Sequence, residues 1–112
     1  MKRGDVVLAL FPNSDLISAK TRPAVVVQRD ALNGGLPQII LAMITSQMVR
    51  AGHPSRVAVL LSSPEGKQAG LLADSVVMTD NLATVKEAAI SSVIGSLPMS
   101  SVNNALRHSL DL

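Results

Sequence analysis

The stretch Lys20-Thr21-Arg22-Pro23-Ala24-Val25-Val26-Val27-Gln28 constrains the fold more than any other. A proline followed by small and β-branched apolar residues predicts a strand buried on both faces. Proline is tolerated at a strand's first residue because its missing N–H is not needed there. It also steers the preceding Arg22 away from helix and into an extended conformation. A guanidinium, with Lys20 close by, therefore sits at the mouth of a rigid central strand. Donors fixed in this way suit the holding of a phosphate or carboxylate. The other use of an arginine so placed is an ion pair with a surface acid.

The remaining punctuation fits a chain of short strands. Asp5–Phe11 is an apolar run led by Gly4 and ended by the turn cluster Pro12-Asn13-Ser14-Asp15, and it reads as strand one. Residues 12–21 form a polar loop long enough to be functional. Strand two is Pro23–Gln28, and Asp30 to Pro37, with Asn33-Gly34-Gly35, reads as a reversal. Gln38–Thr45 is strand three and ends in the polar run Thr45-Ser46-Gln47. Arg56–Leu61 gives strand four, Ser62–Gly70 a turn and Leu71–Met78 strand five. Asp80-Asn81 opens another turn. Residues 82–91 fit either a helical turn or an irregular link, and Ser92–Leu97 is a short last strand. From Pro98 the period changes: Met99, Val102, Ala105, Leu106 and Leu110 recur at helical spacing. That helix should cap a barrel or meet a dimer partner. The expectation is a mainly β fold, a small, strongly bent sheet or barrel with a C-terminal helix.

Composition narrows the function classes. The 112 residues fit one domain, 1–112, with a modest core. Aromatics are 1%, the single Phe11, which argues against binders that stack bases on exposed rings. With no cysteine there is no disulfide framework, thiolate zinc site or cysteine nucleophile. His53 and His108 lack ligand partners at metal spacing, so neither metal nor cofactor is expected. No glycine-rich phosphate loop or nucleophile elbow is present. Met1-Lys2-Arg3 looks briefly like the start of a leader, but Val6–Phe11 is too short an apolar run and follows Asp5. No run approaches the roughly 18 apolar residues of a membrane span, so a cytoplasmic protein is expected. In residues 1–56 seven bases face three acids, a balance of +4, while residues 57–112 carry −2. The basic half admits a polyanion or an acidic peptide as partner.

The polar residues at strand ends remain as candidate chemistry: Lys20 and Arg22, then Thr45 and Ser46, then Asp80. Thr45 and Ser46 read equally as turn-capping hydroxyls, and Asp80 as an Asx turn before Asn81.

At this point Gly4-Asp5-Val6-Val7-Leu8, Phe11-Pro12, Lys20-Thr21-Arg22-Pro23-Ala24-Val25-Val26-Val27 and Thr45-Ser46-Gln47 resemble the MazF/PemK family of toxins from type II toxin–antitoxin pairs. Ala69-Gly70-Leu71, Asp74-Ser75-Val76-Val77, Asp80, Thr84, Ile94-Gly95 and the final helix continue the match in order. The wording of the first loop is most similar to the PemK-like branch. The resemblance implies an SH3-like barrel with a C-terminal helix, usually a homodimer. It implies a metal-independent endoribonuclease of single-stranded mRNA, inhibited by an acidic, amphipathic antitoxin. The family chemistry is attack of a ribose 2′-hydroxyl on the adjacent phosphate, leaving a 2′,3′-cyclic phosphate. Carried onto this chain, Arg22, Thr45 and Asp80 would be catalytic. Lys20, Ser46, Gln47 and Asp15 would contact RNA.

The chain departs from the family pattern at Met78. Members commonly read Ser-Val-Val-Arg, whereas Ser75-Val76-Val77 here is followed by methionine, which delivers neither proton nor charge. Asp15 stands where many members carry Glu, and a basic residue common near Ile90 is absent. The alternative reading is thus a weakened or inactive member that binds RNA or antitoxin without cutting. A CcdB-like gyrase poison ranks low, because the chain ends Ser109-Leu110-Asp111-Leu112 and has no Trp.

Overall fold

The structure is a computed structural model and describes residues 1–12, 15, 17–30 and 37–112. Its strands are β1 (Asp5–Pro12), β2 (Ala19–Val26), β3 (Gln38–Thr45), β4 (Arg56–Val59), β5 (Ser75–Lys86) and β6 (Ile90–Ser96). Helix α1 (Pro64–Ala69) links β4 to β5, and α2 (Ser100–Leu110) closes the chain. The strands form one antiparallel sheet in the order β4-β5-β3-β2-β1-β6.

Alternation along the strands sends side chains into two cores. Val6, Val25, Ala42 and Ile44 join one cluster with Ala69 of α1 and Val102 and Leu106 of α2. Their neighbours Val7, Ala9, Ala24, Val26, Leu41 and Met43 join a second, together with Phe11 and Ile39. Met78, Ala83, Val85 and Ile90 pack against this second cluster, which draws only on the sheet and its connections, so the sheet rolls around it. Burial on both faces explains why the strands read as unbroken apolar runs rather than alternating ones. The expected mainly β fold with a C-terminal helix is the one that forms.

Strand three matches its expected span, and β1 runs one residue further than expected. β2 starts earlier, at Ala19, so Pro23 lies inside the strand rather than at its first residue. β2 pairs with β1 along its length but with β3 only over Ala24–Val26. Pro23 thus falls where β2 has no neighbour on the β3 side, and the missing N–H forfeits no bond there. The reversal expected before Pro37 lies mostly outside the described residues. β4 ends at Val59 rather than Leu61.

The Ser62–Gly70 turn is in fact built around α1. Ser63 Oγ accepts from the Gly66 N–H at 3.0 Å, Pro64 opens the helix, and Gly70 closes it at φ 72°. β5 begins at Ser75 and continues through the expected turn at Asp80-Asn81 to Lys86. The 82–91 stretch is the rest of β5, a 3₁₀ turn at Glu87–Ala89 and the start of β6. Helix α2 buries Val102, Ala105 and Leu106 against β4 and β5, while Leu110 at its end is 49% exposed and leaves the expected apolar face.

Gly95 of β6 lies against α1: a Cβ there would collide with the backbones of Gln68 and Ala69. We expect Gly95→Ala to destabilise the protein by about 1–3 kcal/mol in urea unfolding. Gly52→Ala, where a Cβ meets nothing within 4 Å, should stay within about 0.5 kcal/mol of the parent.

Candidate active-site groove

The groove begins where two neighbouring strands part. The β2–β3 ladder stops at Ala24↔Met43. Beyond it, Arg22 and Pro23 stay with β1, opposite Ala9 and Leu8, while Ile44 and Thr45 stay with β5, opposite Val77 and Val76. The wedge between them opens into a groove of about 1270 Å³. Lys20 and Arg22 line one wall, and Thr45, Ser46 and Gln47 line the other. Extending the ladder by two residues sets Arg22 across from Thr45, on the face that carries Ala24 and Met43. Lys20 alternates onto the same face as Arg22. Five of the residues singled out in the sequence, Lys20, Arg22, Thr45, Ser46 and Gln47, thus line one groove.

The hydroxyl wall is set by a local turn. Thr45 Oγ1 accepts a hydrogen bond from the Gln47 N–H at 3.2 Å. That is the turn-capping use, and it leaves the Thr45 O–H able to donate to a bound anion. The capping and site readings of this residue are compatible. Ser46 and Gln47 are exposed beside it. Among the described lining residues there are two cations and no acid, so the groove favours a polyanion.

The two acids drawn from the resemblance lie elsewhere. The Asp80 carboxylate faces Arg56, with Oδ1 2.8 Å from Nε and Oδ2 accepting from Nη2 at 3.1 Å. The Nε contact is an ion pair without hydrogen-bond alignment. Hydrogen bonding from the Arg56 guanidinium holds the Asp80 carboxyl below its ordinary range, which makes it a still weaker base. Asp15 folds back on its own loop, accepting from the backbone N–H groups of Ile17 and Ser18, each at 3.0 Å, and from the Ser18 hydroxyl. The Ser18 and Ile17 amides lower its carboxyl as well. Neither acid is among the groove's lining residues. His53 is likewise engaged locally: its Nδ1 accepts from the Ser55 N–H at 3.0 Å, and its ring meets His108 edge-on at 6.1 Å.

Sequence reasoning missed Asn81 and Thr84, which line the groove from β5. An Asp-Asn pair is a strong turn signal, and here it sits inside a strand. The ladder runs Met43↔Met78 and then Ala42↔Leu82, so Thr79, Asp80 and Asn81 form a bulge. Met78 lies across from Met43 on one side and Arg56 on the other, and it is among the residues that line the groove.

Comparison with known proteins gives the family and the fold. The family described as "PemK-like, MazF-like toxin of type II toxin-antitoxin system" matches residues 2–110. Endoribonuclease EndoA of Bacillus subtilis is 33% identical over 116 aligned positions, covering 100% of this chain and 96% of that protein. The solved toxin MazF-mt6 of Mycobacterium tuberculosis superposes with a TM-score of 0.73 at 27% identity, covering 96% of this chain and 97% of that one. An endoribonuclease solved in complex with its cognate antitoxin, from a mycobacterial species, gives a TM-score of 0.74 at 23% identity, covering 100% and 96%, and shows the same fold.

The lowered Asp80 carboxyl makes a stability prediction. Its ion pair contributes above the unfolded value of roughly pH 3.9 and is lost as pH falls through the lower folded value. Asp80→Asn should therefore be less stable than the parent at pH 7. The difference should stay under about 1 kcal/mol because the pair is partly exposed. Urea midpoints measured from pH 7 down to pH 2.5 should converge at the acid end.

Proposed function

The chain belongs to the PemK-like, MazF-like toxins of type II toxin–antitoxin systems, and from that premise we propose that it is an endoribonuclease that cuts single-stranded RNA in the groove between β2 and β3. The observation that carries this reading is the parting of those strands, which sets a guanidinium and a hydroxyl across one opening. A phosphodiester seated there meets Arg22 from one wall and the Thr45 O–H from the other. Its neighbouring 2′-hydroxyl gives up its proton to water as it attacks phosphorus, the P–O5′ bond breaks, and the leaving O5′ takes a proton from water, so that a 2′,3′-cyclic phosphate and a 5′-hydroxyl result. Negative charge grows on the non-bridging oxygens during attack. Arg22 stabilises it as a fixed cation and Thr45 as a hydrogen-bond donor. Lys20 adds positive potential along the strand's path, and Ser46 and Gln47 offer further hydrogen bonds. DNA lacks the attacking hydroxyl, so the chemistry itself selects RNA.

This reading assigns Asp80 to holding Arg56 and the β5 bulge rather than to proton abstraction. The reaction needs no metal ion, because the charge it develops is met by side chains. An acidic, amphipathic antitoxin segment laid over Lys20 and Arg22 would exclude RNA from the groove. A homodimer and a cytoplasmic setting complete the proposal.

The test is cleavage of a long single-stranded RNA in EDTA. The parent protein should cut it and leave DNA of the same sequence intact. Arg22→Ala should slow cleavage by about a hundredfold or more with the fold preserved. RNA left intact by folded parent protein at micromolar concentration would overturn the activity.

A weaker catalyst is the second reading, favoured by Met78 on the groove wall. Its cross-strand neighbour Arg56 is committed to Asp80, so no cation is supplied from that position. If charge on that wall limits the rate, Met78→Arg should raise kcat on the same RNA. An unchanged rate would show that Arg22 and Lys20 suffice.

A further inference from the structure

Three residues of β5 belong to no ladder. Pairing with β3 passes from Met78 to Leu82, and pairing with β4 ends at Arg56↔Met78, so Thr79, Asp80 and Asn81 have no strand partner among the described residues. Hydrogen bonds outside the ladders fix this backbone instead. Thr79 is fully buried. Its N–H and its Oγ1 both donate to the Ser55 carbonyl, at 3.1 and 2.7 Å. With that hydroxyl proton committed, Ser109 of α2 donates to Thr79 Oγ1 at 2.8 Å. The Ser55 N–H goes to His53 Nδ1 at 3.0 Å, so both backbone groups of Ser55 are used. Asp80 adds its ion pair with Arg56. Ser109 follows the buried Val102, Ala105 and Leu106 at helical spacing, so the packed stripe of α2 ends in a hydroxyl set against the bulge.

We propose that Thr79 is a positioning residue for RNA cleavage and that Ser109 of α2 acts through it. The proposal rests on the groove being the RNA site, as proposed above. Met78 on one side of this tether and Asn81 and Thr84 on the other line the groove. The tether therefore sets where the β5 wall stands relative to Arg22 and Thr45. Neither hydroxyl is placed to touch RNA, since neither Thr79 nor Ser109 is among the groove's lining residues. Filling space does not require them. Valine at 79 and alanine at 109 would occupy the same volume, and the Ser55 carbonyl would keep the backbone N–H of residue 79. What the two hydroxyls add is direction, because a hydrogen bond fixes a length and an angle that apolar contact leaves free. Reaction rate is sensitive to that, since a misplacement of about 1 Å from a change far from the chemistry can cost up to about a hundredfold. The last turn of α2 thus belongs to the support of the site.

The experiment measures kcat and KM on one single-stranded RNA for the parent, Thr79→Val, Thr79→Ser, Ser109→Ala and Arg22→Ala. Urea unfolding and backbone amide spectra are recorded for each. Thr79→Val and Ser109→Ala should each lower kcat by about tenfold, with KM within about twofold of the parent. Thr79→Ser, which retains the hydroxyl, should keep the parental kcat. The amide signals of Asn81 and Thr84 should move in Ser109→Ala, although the change lies on another element. A merely structural role would lower urea midpoints without touching the rate of folded protein. Parental kcat in folded Thr79→Val and Ser109→Ala, with Arg22→Ala inactive, would therefore overturn the positioning role and leave the groove standing. A Thr79→Ser rate as low as that of Thr79→Val would overturn it too. If Thr79→Val does not fold, Ser109→Ala decides alone, by its kcat. Parental cleavage by Arg22→Ala, or no cleavage by the folded parent, would instead overturn the groove reading and this proposal with it.

Discussion

The site depends on a ladder that stops early. β2 and β3 share only three paired residues before each turns to its outer neighbour, β1 or β5. Had the ladder continued, Arg22 and Thr45 would flank a closed seam with no room for a ligand. Each wall instead stays hydrogen-bonded on its far side, so the opening exists without leaving the strand unsupported. The wedge is held by backbone pairing and by two packed cores, and little has to move when a ligand arrives. In the reaction proposed for this groove, such preorganisation would keep binding energy for the charge that develops.

Several acids of the chain are engaged by backbone N–H groups or by arginine. Asp5 accepts from the Lys2 N–H at 2.8 Å, Asp30 from the Arg3 N–H at 2.7 Å and Asp74 from the Leu61 N–H at 2.8 Å. Asp15 caps its own loop and Asp80 holds Arg56. These carboxylates organise turns and ends of strands, and no acid is among the described residues that line the groove. A formal charge of +2 thus understates how basic the working surface is.

Much of this was legible in the chain itself. The span Gln38–Thr45, the buried Val25-Val26 pair and the faces of α2 follow from residue type and period. Arg22 beside a proline and Thr45-Ser46 at a strand's end pointed to the groove because both ends come from rigid strands. What could not be read depends on distant partners. Asp80-Asn81 carries a local turn signal, yet Thr79 is tied to Ser55 and Ser109, and Asp80 to Arg56, and those contacts keep the strand going. The carboxylate that looked like a base is, in three dimensions, half of an ion pair. Helix α1 is a different kind of miss: Ser63, Pro64 and Gly70 are ordinary start and stop signals, overlooked because only six residues lie between the caps.

The bulge also fixes how long the chain must be at that point. Before it, even-numbered Met78 shares a face with Met43; after it, odd-numbered Ala83 and Val85 share that face with Leu41 and Ile39. Three additional residues, an odd number, make that exchange of parity. Deleting or inserting a single residue there would turn the second half of β5 inside out, driving Thr84 and Lys86 inward and Ala83 and Val85 into water. Length variation in this segment is therefore open only in steps of two, whatever residues occupy it.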